Sequence, residues 1–238
     1  MPVHDIARAL DIEEIREERL NSIEGCLLTD RRKSFGAILV NAASNTHRRR
    51  YTVAHELGHF LNERHRPITS TGFVCTKQDM GHPLRRGAHL RQEQEANAFA
   101  IELLAPEKLL RSYLLGSADL EIALRMSDRF EISREAAARR YVLLHEECLA
   151  VVFTKDDRVR YIEKGDRFPR TTVWVGDPLS PFGQAGSCGS DCTDLIEVSA
   201  GLWLANPDGK VVFAQRLQQA QGFAVTLLLV ESEEDDGE

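Results

Sequence analysis

The sequence predicts an α+β chain: a mainly helical N-terminal domain with a small β-sheet and a helix-turn-helix-like segment, then a mostly antiparallel β domain. Three observations predict it. Apolar residues recur at helical spacing through much of residues 5–147, two short apolar runs at 23–28 and 35–41 interrupt them, and after Cys148 the texture turns β-branched and alternating. At 238 residues the chain also exceeds the usual length of about 100 to 200 residues for one domain. The expected division is 1–147, then 148–231, then an acidic tail at 232–238, left without structure because its charges repel.

In order, residues 5–20 read as a helix, with Asp5 as N-cap and Ile6, Leu10, Ile15 and Leu20 at roughly helical spacing among Glu and Arg. The runs at 23–28 and 35–41, separated by Thr29-Asp30-Arg31-Arg32-Lys33-Ser34, read as a hairpin-like pair of strands. A long helix should begin near Asn45 or Thr46 and run to about Arg64, where Pro67 and the Thr69-Ser70-Thr71-Gly72 cluster stop it. Residues 66–90, with Gly72, Gly81, Pro83 and Gly87, read as a long irregular wall or lid of a cleft.

Further helices are expected at 91–104, 106–115, 118–130 and 133–147. Strands are expected at 149–154, 159–163, 171–175, 195–204, 211–217 and 223–230.

Composition narrows the function classes. Apolar residues at 42% and charged residues at 28% exclude wholesale disorder and fibrous architecture. A formal charge of −7 argues against a strong non-specific grip on nucleic acid, although His47-Arg48-Arg49-Arg50 forms a local basic cluster. The N-terminus lacks the basic and apolar regions of a signal peptide, and the longest apolar run, 223–230, is too short to span a bilayer, so no membrane partner is expected. Five scattered cysteines, an odd number, fit a reducing compartment and hence a cytoplasmic location.

The chemistry concentrates in His55-Glu56-Leu57-Gly58-His59. Residues four apart on a helix stand one turn apart on the same side, so His55 and His59 can present two imidazole nitrogens to one ion. On a helical wheel both face about 160° away from the apolar stripe of Val53, Leu57, Phe60 and Leu61. The plainer reading, two ordinary histidines on a surface helix, leaves that orientation unexplained. A catalytic zinc takes three protein ligands and keeps a fourth position for water, and Glu56 sits beside the first ligand to take a proton from it.

A third ligand should come from another helix, where Glu93, Glu95 and Glu102 are the acidic candidates. Glu93 shares an inward stripe with Asn97, Ala100 and Leu104, whereas Glu95 and Glu102 lie on the far side, which favours Glu93. Asn97, one turn on, is placed to hydrogen-bond a ligating histidine and fix its tautomer.

These residues carry a resemblance. Ala54-His-Glu-Leu-Gly-His-Phe60, followed by Glu93-Gln-Glu-Ala-Asn-Ala-Phe-Ala-Ile-Glu-Leu-Leu-Ala-Pro106, resembles the ImmA/IrrE family of zinc metallopeptidases over roughly residues 1–147. The resemblance implies a zincin-like domain with His55, His59 and Glu93 as metal ligands and Glu56 as the catalytic residue. Its usual Leu-Leu-Met-Pro ending is here Leu-Leu-Ala-Pro, with Ala105 in place of Met, a change in packing rather than chemistry. It also implies a substrate: a helix-turn-helix repressor of XRE type, whose cleavage relieves repression in a stress, DNA-damage or mobile-element response. Zn2+ is the expected metal, and Mn2+ also suits these ligand types.

Competing readings remain open. A non-cleaving transcriptional regulator, with zinc merely structural, would bind a repressor or DNA through residues 118–147, where Arg134, Arg139 and Arg140 mark the second helix. Asp119, Glu121, Asp128, Glu131 and Glu135 dilute that basic face, so DNA contact is the lesser reading. A broad peptidase is weaker still, since no pro-segment is seen to restrain it. Cys188 and Cys192 lack the second cysteine pair of a structural zinc site, which leaves redox sensing or no role, the latter favoured; one of His65, His82 and His89, flanking the cleft region, could stabilise an oxyanion or bind substrate, although each singly reads as an exposed loop histidine. The 35–41 strand is expected to offer its edge to an extended substrate.

Overall fold

The computed structural model describes residues 1–67, 69, 72–80, 87–179 and 192–232. The α+β class expected from the sequence is observed: six α-helices and two sheets among the described residues. They fall into two compact units, Met1–Leu109 with Phe130–Ser133, and Leu110–Arg129 with Arg134–Glu238.

In the first unit the helix expected over 5–20 is corrected to a short helix and a strand. Helix α1 (Val3–Ala9) ends before Asp11, whose φ of 64° lies in the left-handed region that Asp tolerates, and strand β1 (Ile12–Glu18) follows. The Glu and Arg residues of β1 favour a helix by only a few tenths of a kcal/mol each, roughly. The parallel ladder to β3 (Gly36–Asn41), with Ile15 opposite Ile38 and Ile12 buried, outweighs that preference. As an edge strand, β1 turns Glu13, Glu14, Glu17 and Glu18 to solvent, which discourages pairing with another chain.

Strand β2 (Gly25–Thr29) pairs antiparallel with β3, as the two apolar runs led one to expect. Strand β4 (Gly72–Cys75) then pairs antiparallel with β2 and sets Cys75 opposite Gly25. This strand lies in the stretch read as irregular; His82, Gly81 and Pro83 of that stretch lie outside the described residues. The order β1-β3-β2-β4 corrects the expectation that β3 offers an edge, because β1 and β2 occupy both its sides.

Helix α2 (Thr46–Leu61) starts where Asn45 accepts a hydrogen bond from the Arg48 N–H at 2.9 Å. At its other end the Lys33 ammonium donates to the carbonyls of His59 and Asn62 at 2.5 and 2.6 Å, satisfying groups that the last turn leaves unpaired. Val53 and Leu57 are fully buried, and so are His55 and His59 on the opposite side, because α2 packs against both the sheet and α3 (Ala88–Leu104). Helix α3 turns Glu93, Ala96, Ala100 and Leu104 inward. The close approach of the two helices explains Gly58: a Cβ there would stand 3.2 Å from the Ala96 Cα and 3.0 Å from Phe99.

The second unit is built on an antiparallel sheet ordered β6-β5-β9-β8-β7: β5 (Leu149–Lys155), β6 (Arg158–Lys164), β7 (Ile196–Val198), β8 (Lys210–Gln218) and β9 (Phe223–Ser232). Ala150, Val152, Val212, Ala214, Leu228 and Val230 face a cluster with Phe168, Trp203 and Leu204. Alternation turns Val151, Phe153, Leu227 and Leu229 to the other face, and α6 (Arg134–Leu144) packs against β5 and β6.

Between α3 and this unit lies the short helix α4 (Glu107–Leu110). Helix α5 (Leu120–Phe130) is tied to the second unit too: Gln215 on β8 accepts from the Leu120 N–H at 2.6 Å and donates to Asp119 at 3.0 Å. Residues 118–129 and 134–147 therefore cluster with the C-terminal sheet in the second compact unit.

The strand expected at 171–175 is absent, with only an isolated bridge from Thr171 to Leu204; Trp174 and Val175 are exposed, and β-branched residues without a ladder partner do not make a strand. The strand expected at 195–204 shortens to β7 and a 3-10 turn at Ala200–Leu202. Arg139 of α6 pairs with Glu163 at 2.7 Å, so that part of the basic face is engaged within the unit. Cys188 and the tail residues 233–238 lie outside the described residues.

Candidate metal centre

Helices α2 and α3 and strand β4 bring four buried donors together: His55, His59, Cys75 and Glu93, with one ligand atom from each within 4.8 Å of all the others. The Nε2 atoms of His55 and His59 are 3.1 Å apart. Glu93 reaches them with Oε2 at 3.3 Å from His55 and Oε1 at 3.4 Å from His59, and the Cys75 sulfur is 3.7 Å from the His59 Nε2.

The tautomers follow from the surrounding bonds. The Asn97 amide donates to the Asp79 carbonyl at 3.1 Å, so its oxygen faces inward, where the Tyr51 hydroxyl donates to it at 2.8 Å and the His55 Nδ1 lies 3.0 Å away. His55 therefore carries its proton on Nδ1 and leaves the Nε2 lone pair for the centre. On the other side the His65 Nε2 lies 3.0 Å from Glu95 and 2.9 Å from the Asn62 amide nitrogen; donation to the carboxylate leaves its Nδ1 as the acceptor for the Nδ1–H of His59, also at 3.0 Å. The Nε2 lone pair of His59 is thereby freed for the centre as well.

Electrostatics agree with this assignment. Burial pushes the pKa of His59 down to about 4, so the ring is neutral at pH 7. Burial opposes the charge of Glu93, yet its place beside the His55 and His59 rings holds its carboxyl down at about 2. Glu56, fully buried, is pushed the other way. Desolvation raises its pKa well above the usual carboxylate range, the Cys75 thiol beside it offsets part of that, and the charge of Glu93 adds to it. Neither Glu56 oxygen meets a donor in hydrogen-bond geometry. Its place exists because residue 25 is Gly: a Cβ there would stand 2.7 Å from the Glu56 Oε1 and 2.4 Å from Thr52.

Lone pairs that converge at these distances with no proton between them fit a divalent cation. A tetrahedral zinc, with bonds of about 2.0 Å to nitrogen or oxygen and about 2.3 Å to sulfur, has donor-to-donor edges of about 3.3 Å and about 3.6 Å to the sulfur. A bound cation would also reverse the situation of Glu56 by favouring its charged form.

Of the residues singled out from sequence, His55, Glu56, His59, Glu93 and Asn97 are all brought to this centre, while Glu102 is exposed and apart from it. His65 corrects its reading as an exposed loop histidine, being 1% exposed and bonded to His59. His89 stands one turn before Glu93, its Nδ1 3.5 Å from the Glu93 Oε1. Cys75 was missed as a member of the site, while Glu95, weighed as a ligand, and His65, weighed as an oxyanion or substrate contact, stand here in a different role, behind His59. Cys75 follows no fixed spacing from the motif, and only the Phe73-Val74-Cys75 run hinted at a strand that could deliver a side chain here.

Two outcomes are expected. His65→Phe removes the acceptor that orients His59 and should weaken metal binding by roughly 10- to 100-fold in a chelator competition; unchanged affinity would show that His59 needs no such support. In the metal-free protein, His59 is depressed from 6.5 to about 4, so the unfolded chain takes up a proton that the folded one refuses across that interval, and stability falls as pH drops from 6.5 to 4. Glu93 extends the loss, its contribution being full above 4.5 and lost as pH falls toward about 2. Denaturation midpoints measured along this range should decline steadily, and a flat profile would contradict a neutral, buried His59.

No helix among the described residues is long and apolar enough to cross a membrane. The family model described as the IrrE N-terminal-like domain, a peptidase family, matches residues 12–142, more than half of the chain. No curated protein matches the chain by sequence. Among solved structures, the fold is similar to that of a Mycobacterium tuberculosis transcriptional regulator, with a TM-score of 0.53 at 14% identity, over 96% of this chain and 79% of that one.

Proposed function

The chain belongs to the peptidase family described as the IrrE N-terminal-like domain, and from that membership and the centre above we propose that it is a zinc-dependent, site-specific endopeptidase. Its substrate is a helix-turn-helix repressor, and cleavage relieves repression. The observation that carries this reading is the fully buried carboxyl of Glu56, its pKa raised by desolvation, beside the convergent donors of His55, His59 and Glu93. A structural site has no use for a desolvated carboxylate next to its ligands, whereas hydrolysis needs one there.

A metal held by His55, His59 and Glu93 supplies Lewis acidity, polarising a peptide carbonyl and making a water easier to deprotonate. Glu56 takes the proton from that water and passes it to the leaving amine. Asn97 and His65 hold the two imidazoles in register. Among the described residues strand β4 pairs with β2 alone, and its other edge offers a place for an extended substrate segment, which suits a loop of a repressor better than a folded surface. The regulatory context and the cytoplasmic setting of such a repressor belong to this proposal.

A second reading, a non-cleaving regulator with a structural metal, is favoured by one observation: Cys75 completes a set of four protein donors, the number that structural zinc sites use. Metal-loaded wild type and Glu56→Gln, added separately to host lysate and compared for new peptide termini by mass spectrometry, distinguish the two. A few wild-type-only termini within one repressor support the endopeptidase. Many scattered termini indicate a general peptidase, and identical profiles favour the regulator.

A further inference from the structure

We propose that Cys75 is a fourth ligand to the metal and that it closes the centre, so that the protein rests as a latent peptidase until strand β4 moves. The proposal rests on the endopeptidase reading and names its regulation.

The Cys75 side chain is fully buried, forms no disulfide and points its sulfur into the donor cluster, 3.7 Å from the His59 Nε2. That separation matches one sulfur-to-nitrogen edge of about 3.6 Å in a tetrahedral zinc site, and the 3.1 Å between the His55 and His59 Nε2 atoms is close to the nitrogen-to-nitrogen edge of about 3.3 Å. Two imidazoles, one carboxylate and one thiolate carry the two negative charges that balance a divalent cation.

With the sulfur in place, all four tetrahedral positions are taken and none is left for the water that hydrolysis requires. Opening is a ligand exchange. The bond from the sulfur would break, a water would take the fourth position, and the departing thiolate would take up one proton from solvent. Cys75 ends β4, the edge strand assigned above to substrate pairing, so substrate engagement and thiolate release act on the same four residues. A substrate that pairs poorly with β4 leaves the centre closed, which restrains general proteolysis by requiring recognition before reactivity.

The test uses the full chain loaded with Co2+, read by absorption. Wild type should show thiolate-to-cobalt charge transfer in the near ultraviolet, and Cys75→Ala and Cys75→Ser should lose it. Cys26→Ala, which removes another buried thiol, should keep it. Azide, a ligand that binds only where a position is open, should leave the visible bands of wild type unchanged and shift those of both Cys75 variants. Cys75→Ser guards against misfolding because it nearly preserves volume. Absence of charge transfer in wild type would overturn the ligation, and azide shifting wild type as readily as the variants would overturn the closure. Both readouts are independent of cleavage, so failure of the endopeptidase reading, seen as identical termini with wild type and Glu56→Gln, is separately visible.

Discussion

Glu56→Gln should lower cleavage of the proposed repressor substrate by roughly 100- to 10,000-fold while leaving metal content and thermal stability essentially unchanged. That range is what a positioned general base contributes to a proton transfer. The amide is nearly isosteric with the carboxyl, so the cradle formed by Gly25 and Thr52 still admits it. It cannot accept the proton of an attacking water as a carboxylate does. Glu56 is not among the four donors that converge on the centre, so metal content should not follow activity down. Stability should hold, or rise slightly, because burial already opposes the Glu56 charge in the metal-free protein and the substitution removes the group concerned. Elemental analysis beside a cleavage time course checks both halves. Loss of metal together with activity would place Glu56 among the ligands, and full activity would end the general-base assignment.

Glu93→Ala has the larger structural consequence. Glu93 is 1% exposed and is the acidic group that touches both imidazoles at the centre. Without it, affinity should fall by more than the roughly 10- to 100-fold attributed to supporting residues. A ligand present at about 1,000 times its dissociation constant adds about 4 kcal/mol to folding. In a chain of this size that corresponds to a melting temperature higher by on the order of 10 °C. Wild type should therefore lose stability of that order when chelator is added, whereas Glu93→Ala should start low and not respond. A variant that keeps its metal and its response to chelator would show that the histidines and Cys75 suffice, and Glu93 would cease to be a ligand.

How much of this was legible depended on whether the relevant periodicity was local. The α2 helix could be read from Asn45 onward, because its capping residue and the four-residue spacing of His55 and His59 are properties of one continuous segment. Glu93 could be preferred to Glu95 and Glu102 because the α3 stripe ranks the three by direction, and in the structure Glu93 is buried while the other two are exposed. By contrast, β1 could not be told from a helix, since Ile-Glu-Glu-Ile-Arg-Glu-Glu carries helical spacing and becomes a strand only through its pairing with β3. The β4 strand was hidden for a related reason: four residues in a glycine- and threonine-rich stretch acquire their conformation from β2.

Sequence alone determined the α+β class, the helix bearing His55, Glu56 and His59, the companion helix bearing Glu93 and Asn97, and the kind of ion that such donors suit. Tertiary structure alone decided which groups complete the centre. Cys75 arrives from an edge strand, His65 from the turn after α2 and Glu95 from the outer side of α3. Helical phase constrains residues within one element and says nothing about where a second element docks. Contacts between distant segments are settled by burial and strand pairing across the whole unit, and in this protein those contacts determine whether the centre has three protein ligands or four.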